Sequence, residues 1–382
     1  MAQTFDVRLG ANNSTEYNFP TDSMLTSDAT LTIGSSHGPN LTTSDGIISL
    51  QTLNTDQLSP VPIDMSSLGT HGFGMVCNNG AAYISPIRDN ALMSFSRDGA
   101  TWSLFPLASP CRVWTKPIWT GSLFVLVGNA QRPGYGVTSR VFTSPDGIVW
   151  TENAMPSAQS WTSVVWTGSQ LLAVSDGQGA GSSSAAVSPD GITWTPYTMP
   201  QMSTGSGAMD APWGYLAYGN GTIVATIEND PSTGLNTPTY AYSTDNATTW
   251  TFNTFLTSGL GSQAQFYQGI VEYSNGQFIM VASGFSDGHG GEIPSNLYQT
   301  SPDGITWTAS SLPYSDTWTN ACHQGDKLWI VGASHTMLGS SDFVTWDGLL
   351  VLQTNPRIGS DGNKIVSLSS LSLIHISEPT RR

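Results

Sequence analysis

Ser301-Pro302-Asp303-Gly304-Ile305-Thr306-Trp307 decides the fold, because the chain repeats it. Ser96-Arg97-Asp98-Gly99-Ala100-Thr101-Trp102, Ser144-Pro145-Asp146-Gly147-Ile148-Val149-Trp150 and Ser188-Pro189-Asp190-Gly191-Ile192-Thr193-Trp194 are close copies. Ser243-Thr244-Asp245-Asn246-Ala247-Thr248-Thr249-Trp250 is one residue longer, and Ser340-Ser341-Asp342-Phe343-Val344-Thr345-Trp346 carries Phe in place of Gly. Thr43-Ser44-Asp45-Gly46-Ile47-Ile48-Ser49 is a degenerate copy. Each reads as a hairpin: Ser and Asp bond local backbone N–H groups, Gly takes a positive φ, and β-branched residues open the next strand. The Trp turns inward as the largest apolar contact of its unit.

The Asp residues of these copies stand 39 to 58 residues apart. A fixed hairpin at that period marks a β-propeller. Around it each unit has an aromatic residue opening a short apolar strand, a Gly turn, and a second strand such as Phe124-Val125-Leu126-Val127 or Leu171-Leu172-Ala173-Val174. A third strand, the Asp hairpin and a fourth strand follow. Continuous apolar runs bounded by turns read as buried strands. Six units are complete, at about 71–106, 112–156, 159–200, 211–256, 265–313 and 316–351, and a partial one starts at Asn355. The expected fold is an all-β, seven-bladed β-propeller of four-stranded antiparallel blades, the last blade closed by both termini. Its missing strands would come from Asn40-Leu41-Thr42 and the degenerate hairpin, hiding the edges of an open blade.

Charged residues are 10% of the chain, and Gly, Ser, Thr, Asn and Trp fill their place. The net charge of −15, with Lys116, Lys327 and Lys364 as the only lysines, argues against nucleic acid and anionic membrane as partners. No apolar run is long enough to span a bilayer, so no membrane insertion is expected. The N-terminus lacks the basic and apolar regions of a signal peptide. Cys77, Cys111 and Cys322 are far apart and odd in number, which suits free thiols and no zinc site. No cofactor and no metal are expected; the Gly-rich stretch Ser286–Glu292 lacks the ordered oxygen ligands of a calcium loop.

Three regions follow. Residues 1–28 do not match the repeat and read as an arm or attachment segment. Residues 29–370 form the propeller. Residues 371–382 resemble the in-frame translation of a sequencing adapter through Leu371-Ser372-Leu373-Ile374-His375-Ile376-Ser377-Glu378-Pro379-Thr380-Arg381, and are set apart from the fold as non-native.

The hairpin resembles the Asp-box, or BNR, repeat of sialidases, sortilin-type receptors and many phage and bacterial propellers, whose pattern is Ser-x-Asp-x-Gly-x-x-Trp. Only Ser243, Asp245 and Trp250 keep that length, with Ala247 at the Gly position. The resemblance implies a structural role, far from any active site, for Asp98, Asp146, Asp190, Asp245, Asp303 and Asp342. A sialidase would also need three Arg for a carboxylate. The Arg-Ile-Pro motif is absent, although Arg88, Arg112, Arg132 and Arg357 fall on loops of one face. The carboxylates Glu228, Asp230, Asp287 and Glu292 lie in the long loops of two adjacent blades, without a spacing that selects a catalytic pair.

Phe73, Trp114, Trp161, Trp213, Tyr267 and Trp318 each open an innermost strand near the channel mouth, with Arg112 and Arg357 alongside. That position suits stacking on sugar faces, and it equally suits packing between blades. Of these, Trp114, Trp161 and Trp318 are expected to be the most exposed. The expected function is a non-catalytic binding or structural module, a tail-associated phage virion protein contacting surface glycans or other virion proteins. A sialidase-like glycoside hydrolase is the alternative.

Overall fold

In the computed structural model the six Asp hairpins among the described residues are closed hydrogen-bonded turns. Ser301 Oγ donates to Asp303 Oδ1 at 2.9 Å and accepts from Gly304 N at 2.8 Å. Asp303 Oδ1 also accepts from Ile305 N and Thr306 N, both at 2.8 Å. The Ser–Asp and Ser–backbone pair recurs in the other five hairpins. Gly304 has φ +75°, and a Cβ there would come within 2.8 Å of Val224 Cγ2 in the preceding blade. So Gly is required both by its own backbone and by the neighbour it packs against. Phe343 occupies this place in the last hairpin at φ 57°. It is 4% exposed, and its buried ring offsets the left-handed conformation.

The structure describes residues 59–63, 74–87, 90–99, 101–111, 113–129, 138–176, 184–204, 207–209, 211–227, 239–255, 266–267, 270–286, 292–324, 326–334, 336–350, 357–360, 364–368 and 373–377. Each blade is built on four antiparallel strands, as in blade three: Trp161–Trp166, Leu171–Ser175, Ser184–Ser188 and Thr195–Thr198 in that order. In blade two the first strand is split into Val113–Trp114 and Ile118–Trp119, and blade five carries the added pair Phe266–Tyr267 and Gly284–Ser286. Blade one runs from Cys77–Asn78 to Ser103–Cys111, and blade two from Val113–Trp114 to Thr151–Gln159. Blade four runs from Trp213–Gly219 to Thr251–Thr254, blade five from Ile270–Ser274 to Thr308–Asp316, and blade six from Trp318–Gln324 to Asp347–Leu350. A two-stranded hairpin, Met202–Thr204 with Gly207–Met209, links blades three and four.

The expected count of seven blades is corrected to six. Six units follow the repeat, and the remaining strands form a sheet of different construction, in the order Ser59–Ile63, Leu373–Ser377, Lys364–Leu368, Arg357–Ser360. Three of these strands follow blade six and one precedes blade one. The expected donors, Asn40-Leu41-Thr42 and the degenerate hairpin, lie outside the described residues, as do residues 1–28. Leu373–Ser377 belongs to the tail that was set apart from the fold, yet it pairs on both sides. Its alternation of β-branched and polar residues suffices for a strand whatever its origin. Arg357–Ser360 packs against the inner strands of both blade six and blade one.

The core is divided into layers between consecutive blades. Between blades two and three, Val125, Val127, Val141 and Met155 meet Trp161, Val164, Leu171 and Trp194. Polar pins that the sequence did not reveal cross three of these layers. Tyr240 Oη in blade four accepts from Trp307 Nε1 at 2.9 Å and donates to Ile305 O at 3.0 Å, both in blade five. Tyr197 does the same for Trp250 and Ala247, at 2.8 and 2.5 Å. Tyr298 donates to Phe343 O at 2.5 Å, but the buried Trp346 Nε1 beyond it has no partner among the described residues. Tyr240→Phe strands the Trp307 N–H and is expected to cost about 1–3 kcal/mol in urea unfolding. Tyr298→Phe strands no indole and should cost less; equal costs would show that the indole bond contributes nothing.

Candidate functional site

The innermost strands converge on the central channel, and their hydrogen-bond register identifies equivalent positions. Asn78, Trp119, Trp166, Tyr218, Tyr273 and His323 each pair with the first buried apolar residue of the second strand: Tyr83, Phe124, Leu171, Ile223, Phe278 and Leu328. They form a collar at the end of the channel that carries the first Gly turns. Trp119, Trp166, Tyr218 and Tyr273 each join the core layer between their own blade and the preceding one. The overlap is close: a Cβ on Gly219 would meet the Tyr273 ring at 2.0 Å. Yet all four residues are only partly buried, so water reaches part of each.

One step of this collar is ionic. His323 Nε2 of blade six stands 3.7 Å from Glu272 Oε2 of blade five. Lys116, from the irregular start of blade two, ion-pairs with the other oxygen of Glu272 and donates to Ala321 O in blade six at 3.4 Å. Blades two and five are not neighbours, so this link crosses the middle of the ring. Protein encloses these groups, but water still reaches 36% of the Lys116 side chain, 21% of Glu272 and 39% of His323. They stand in a wet channel, not a dry core. Burial alone would raise the Glu272 pKa, but Lys116 and His323 override it and hold the carboxyl at about 2. Burial would lower the Lys116 pKa, and the Glu272 carboxylate reverses this to a net rise. Cys77 and Cys322 feel the same charge, but burial dominates and pushes both thiols up to about 12. A polar exception inside an otherwise apolar repeat is where function is to be sought.

The residues singled out from sequence are placed differently. Trp161 and Trp213 are 0% exposed and Trp318 is 1% exposed, so the exposure expected for Trp161 and Trp318 is not found. Each opens its strand as read, but its ring packs between blades. Trp318 Nε1 donates to Ser295 O at 2.7 Å across the layer between blades five and six. Trp114 ends the short strand Val113–Trp114, and its side chain lies outside the described residues. Tyr267 sits in Phe266–Tyr267, which pairs with Gly284–Ser286; the inner strand of blade five is Ile270–Ser274. Arg357 begins a strand of the terminal sheet, with its side chain outside the described residues. Phe73, Arg88, Arg112, Arg132, Glu228, Asp230 and Asp287 lie outside them altogether. Among the described residues no group of three His, Cys, Asp or Glu is arranged to hold a metal.

The hairpin carboxylates are held ionised by their turns. Backbone N–H groups lower Asp190; in Asp146 and Asp303 burial is the largest single influence and would raise the pKa, but the backbone N–H groups and the Ser hydroxyl together outweigh it. Asp245 and Asp342 are lowered to about 2, chiefly by bonds from Thr249 and Thr345. Asp316, missed in the sequence, is buried at the opposite end of blade five. Its Oδ1 accepts from Thr317 N at 2.7 Å and Ser334 N at 3.0 Å, fixing the turn into blade six.

No family model matches the chain, and no curated protein does. Solved structures are similar in shape. Virginiamycin B lyase from Staphylococcus aureus, solved in a catalytically inactive form with quinupristin, has a TM-score of 0.62 and 9% identity over 85% of this chain and 99% of that one. Its selenomethionine form gives 0.61 at 12% identity, over 85% and 99%. YCF48 bound to D1 peptide gives 0.55 at 13%, over 85% and 96%. The chain is a β-propeller. At these identities the likeness carries the fold and nothing further.

Proposed function

We propose that this propeller is a non-catalytic binding module of the Asp-box type, serving as a tail-associated phage virion protein that contacts surface glycans. The observation that carries the non-catalytic reading is the state of its displaced ionisable groups. Asp146, Asp190, Asp245, Asp303, Asp342 and Glu272 are lowered, while Lys116, Cys77, Cys322, Tyr197 and Tyr240 are raised. General acid–base and nucleophilic catalysis require groups tuned toward the working pH. Among the described residues each displacement runs away from neutrality and traces to a bond that holds a turn or a blade contact, or to burial. A chain rich in Ser, Thr, Asn and Gly, with few charged residues, supports recognition of hydroxyls over recognition of charge.

The test is a glycan array probed with the full chain, with fluorogenic glycosides offered to the same protein. Retention without turnover is the expected result. Turnover would replace the module with a glycosidase. The virion setting is tested by mass spectrometry of purified particles of the producing phage, and absence of the chain from them would remove it.

A further inference from the structure

We propose that the collar end of the central channel is a binding site for a neutral saccharide, formed by Trp119, Trp166, Tyr218 and Tyr273 around the Lys116–Glu272–His323 cluster. This deepens the glycan reading above and rests on it.

The first observation is how the polar edges of the aromatic rings are spent. Trp102, Trp150 and Trp194 donate to their own hairpins, Trp250 and Trp307 to tyrosines, and Trp318 to a backbone carbonyl, while the buried Nε1 atoms of Trp213 and Trp346 have no partner among the described residues. The buried tyrosine pins donate as well. The indole N–H of Trp119 and Trp166 and the hydroxyls of Tyr218 and Tyr273 have no partner among the described residues, and none is a buried orphan. Four partly exposed rings in one register, from consecutive blades, thus present apolar surface and unused hydrogen-bonding edges at one end of the channel. A pyranose has matching chemistry: apolar C–H faces for the rings, hydroxyls for the edges.

The second observation is the ionic cluster beside them. Lys116 donates to Glu272, the His323 imidazole stands 3.7 Å from the same carboxylate, and all three are reached by water. A sugar hydroxyl both donates and accepts, so it satisfies either kind of group. A proline-rich peptide offers only carbonyl acceptors along its backbone and has no donor for the remaining lone pairs of the carboxylate. The Glu272 carboxylate already occupies Lys116 and His323, and it repels a second carboxylate brought beside it, which disfavours an anionic sugar. The ligand is therefore an uncharged hexose or N-acetylhexosamine.

The experiment uses the full chain on an array of galactose-, glucose-, mannose-, N-acetylglucosamine- and sialic-acid-terminated oligosaccharides, followed by calorimetric titration of the best one. Trp166→Ala should weaken binding about tenfold or more. The double variant Tyr218→Phe, Tyr273→Phe keeps both rings and their packing, and should weaken it measurably with an unchanged melting temperature. If a neutral glycan binds and the folded tyrosine variant binds it like the parent, the collar is not the site, although the glycan reading stands. A preference for sialylated probes overturns the neutral class. Silence on every probe removes the glycan reading and this site with it.

Discussion

Trp161→Ala is expected to lower the free energy of unfolding by about 3–5 kcal/mol, the range for deleting a large buried aromatic. Trp161 is 0% exposed and sits among Val125, Met155, Val164, Leu171 and Trp194 in the layer between blades two and three. The cavity cannot collapse cheaply, because each wall is a sheet clamped by its own hydrogen bonds and by the next blade. The adjoining Thr162 Oγ1 donates to Trp213 O in blade four at 2.8 Å, so the backbone at this point is tied to a third blade. Urea unfolding followed by circular dichroism reads the effect as a lower midpoint with an unchanged slope. The measurement also separates two roles for this residue. A Trp that stacked on a ligand at the surface would lose binding on truncation and keep its stability. An unchanged midpoint would therefore return Trp161 to the list of contact residues.

The contrast between Trp161 and Trp166 shows what the sequence could convey. Both belong to one strand and both are Trp, and only the register and the neighbouring blade distinguish them. The hairpin was legible atom by atom, because Ser188, Asp190, Gly191 and Trp194 all act within a few residues of each other. Strand order within a blade was legible for the same reason. The pins through Tyr197, Tyr240 and Tyr298 were not, since a lone Tyr on a strand carries no local signature and its partner lies 45 to 67 residues on. The ionic link was further out of reach: Lys116 and Glu272 are 156 positions apart, on blades that do not touch in sequence order. Blade count failed at the ends for a related reason. The hairpin signature counts repeats, but the terminal sheet is built by pairing Ser59–Ile63 with Leu373–Ser377, which no repeat announces.

Glu272→Leu should cost about 1–3 kcal/mol. That is below the 3–5 kcal/mol typical of breaking a buried pair, because water reaches both partners and screens the charge left behind. The loss arises from Lys116, which would keep its charge inside the ring with, among the described residues, only the Ala321 carbonyl to meet it. Lys116→Met added to Glu272→Leu should therefore recover most of the stability, since an apolar pair of similar length leaves no charge stranded. The acid side gives an independent check. The folded pKa of Glu272, about 2, lies below its ordinary 4.5, so its contribution is complete above pH 4.5 and is lost as pH falls toward 2. Lys116 is raised above 10.5, so its contribution is present below that value and is lost only as pH rises through the folded pKa. The double variant removes both dependences at once. Its stability should fall less steeply than that of the parent between pH 4.5 and 2, with the hairpin aspartates supplying the slope that remains. If parent and double variant titrate in parallel through that window, the cross-channel pair contributes no net stability, and Lys116 and Glu272 would be held in the channel for binding alone.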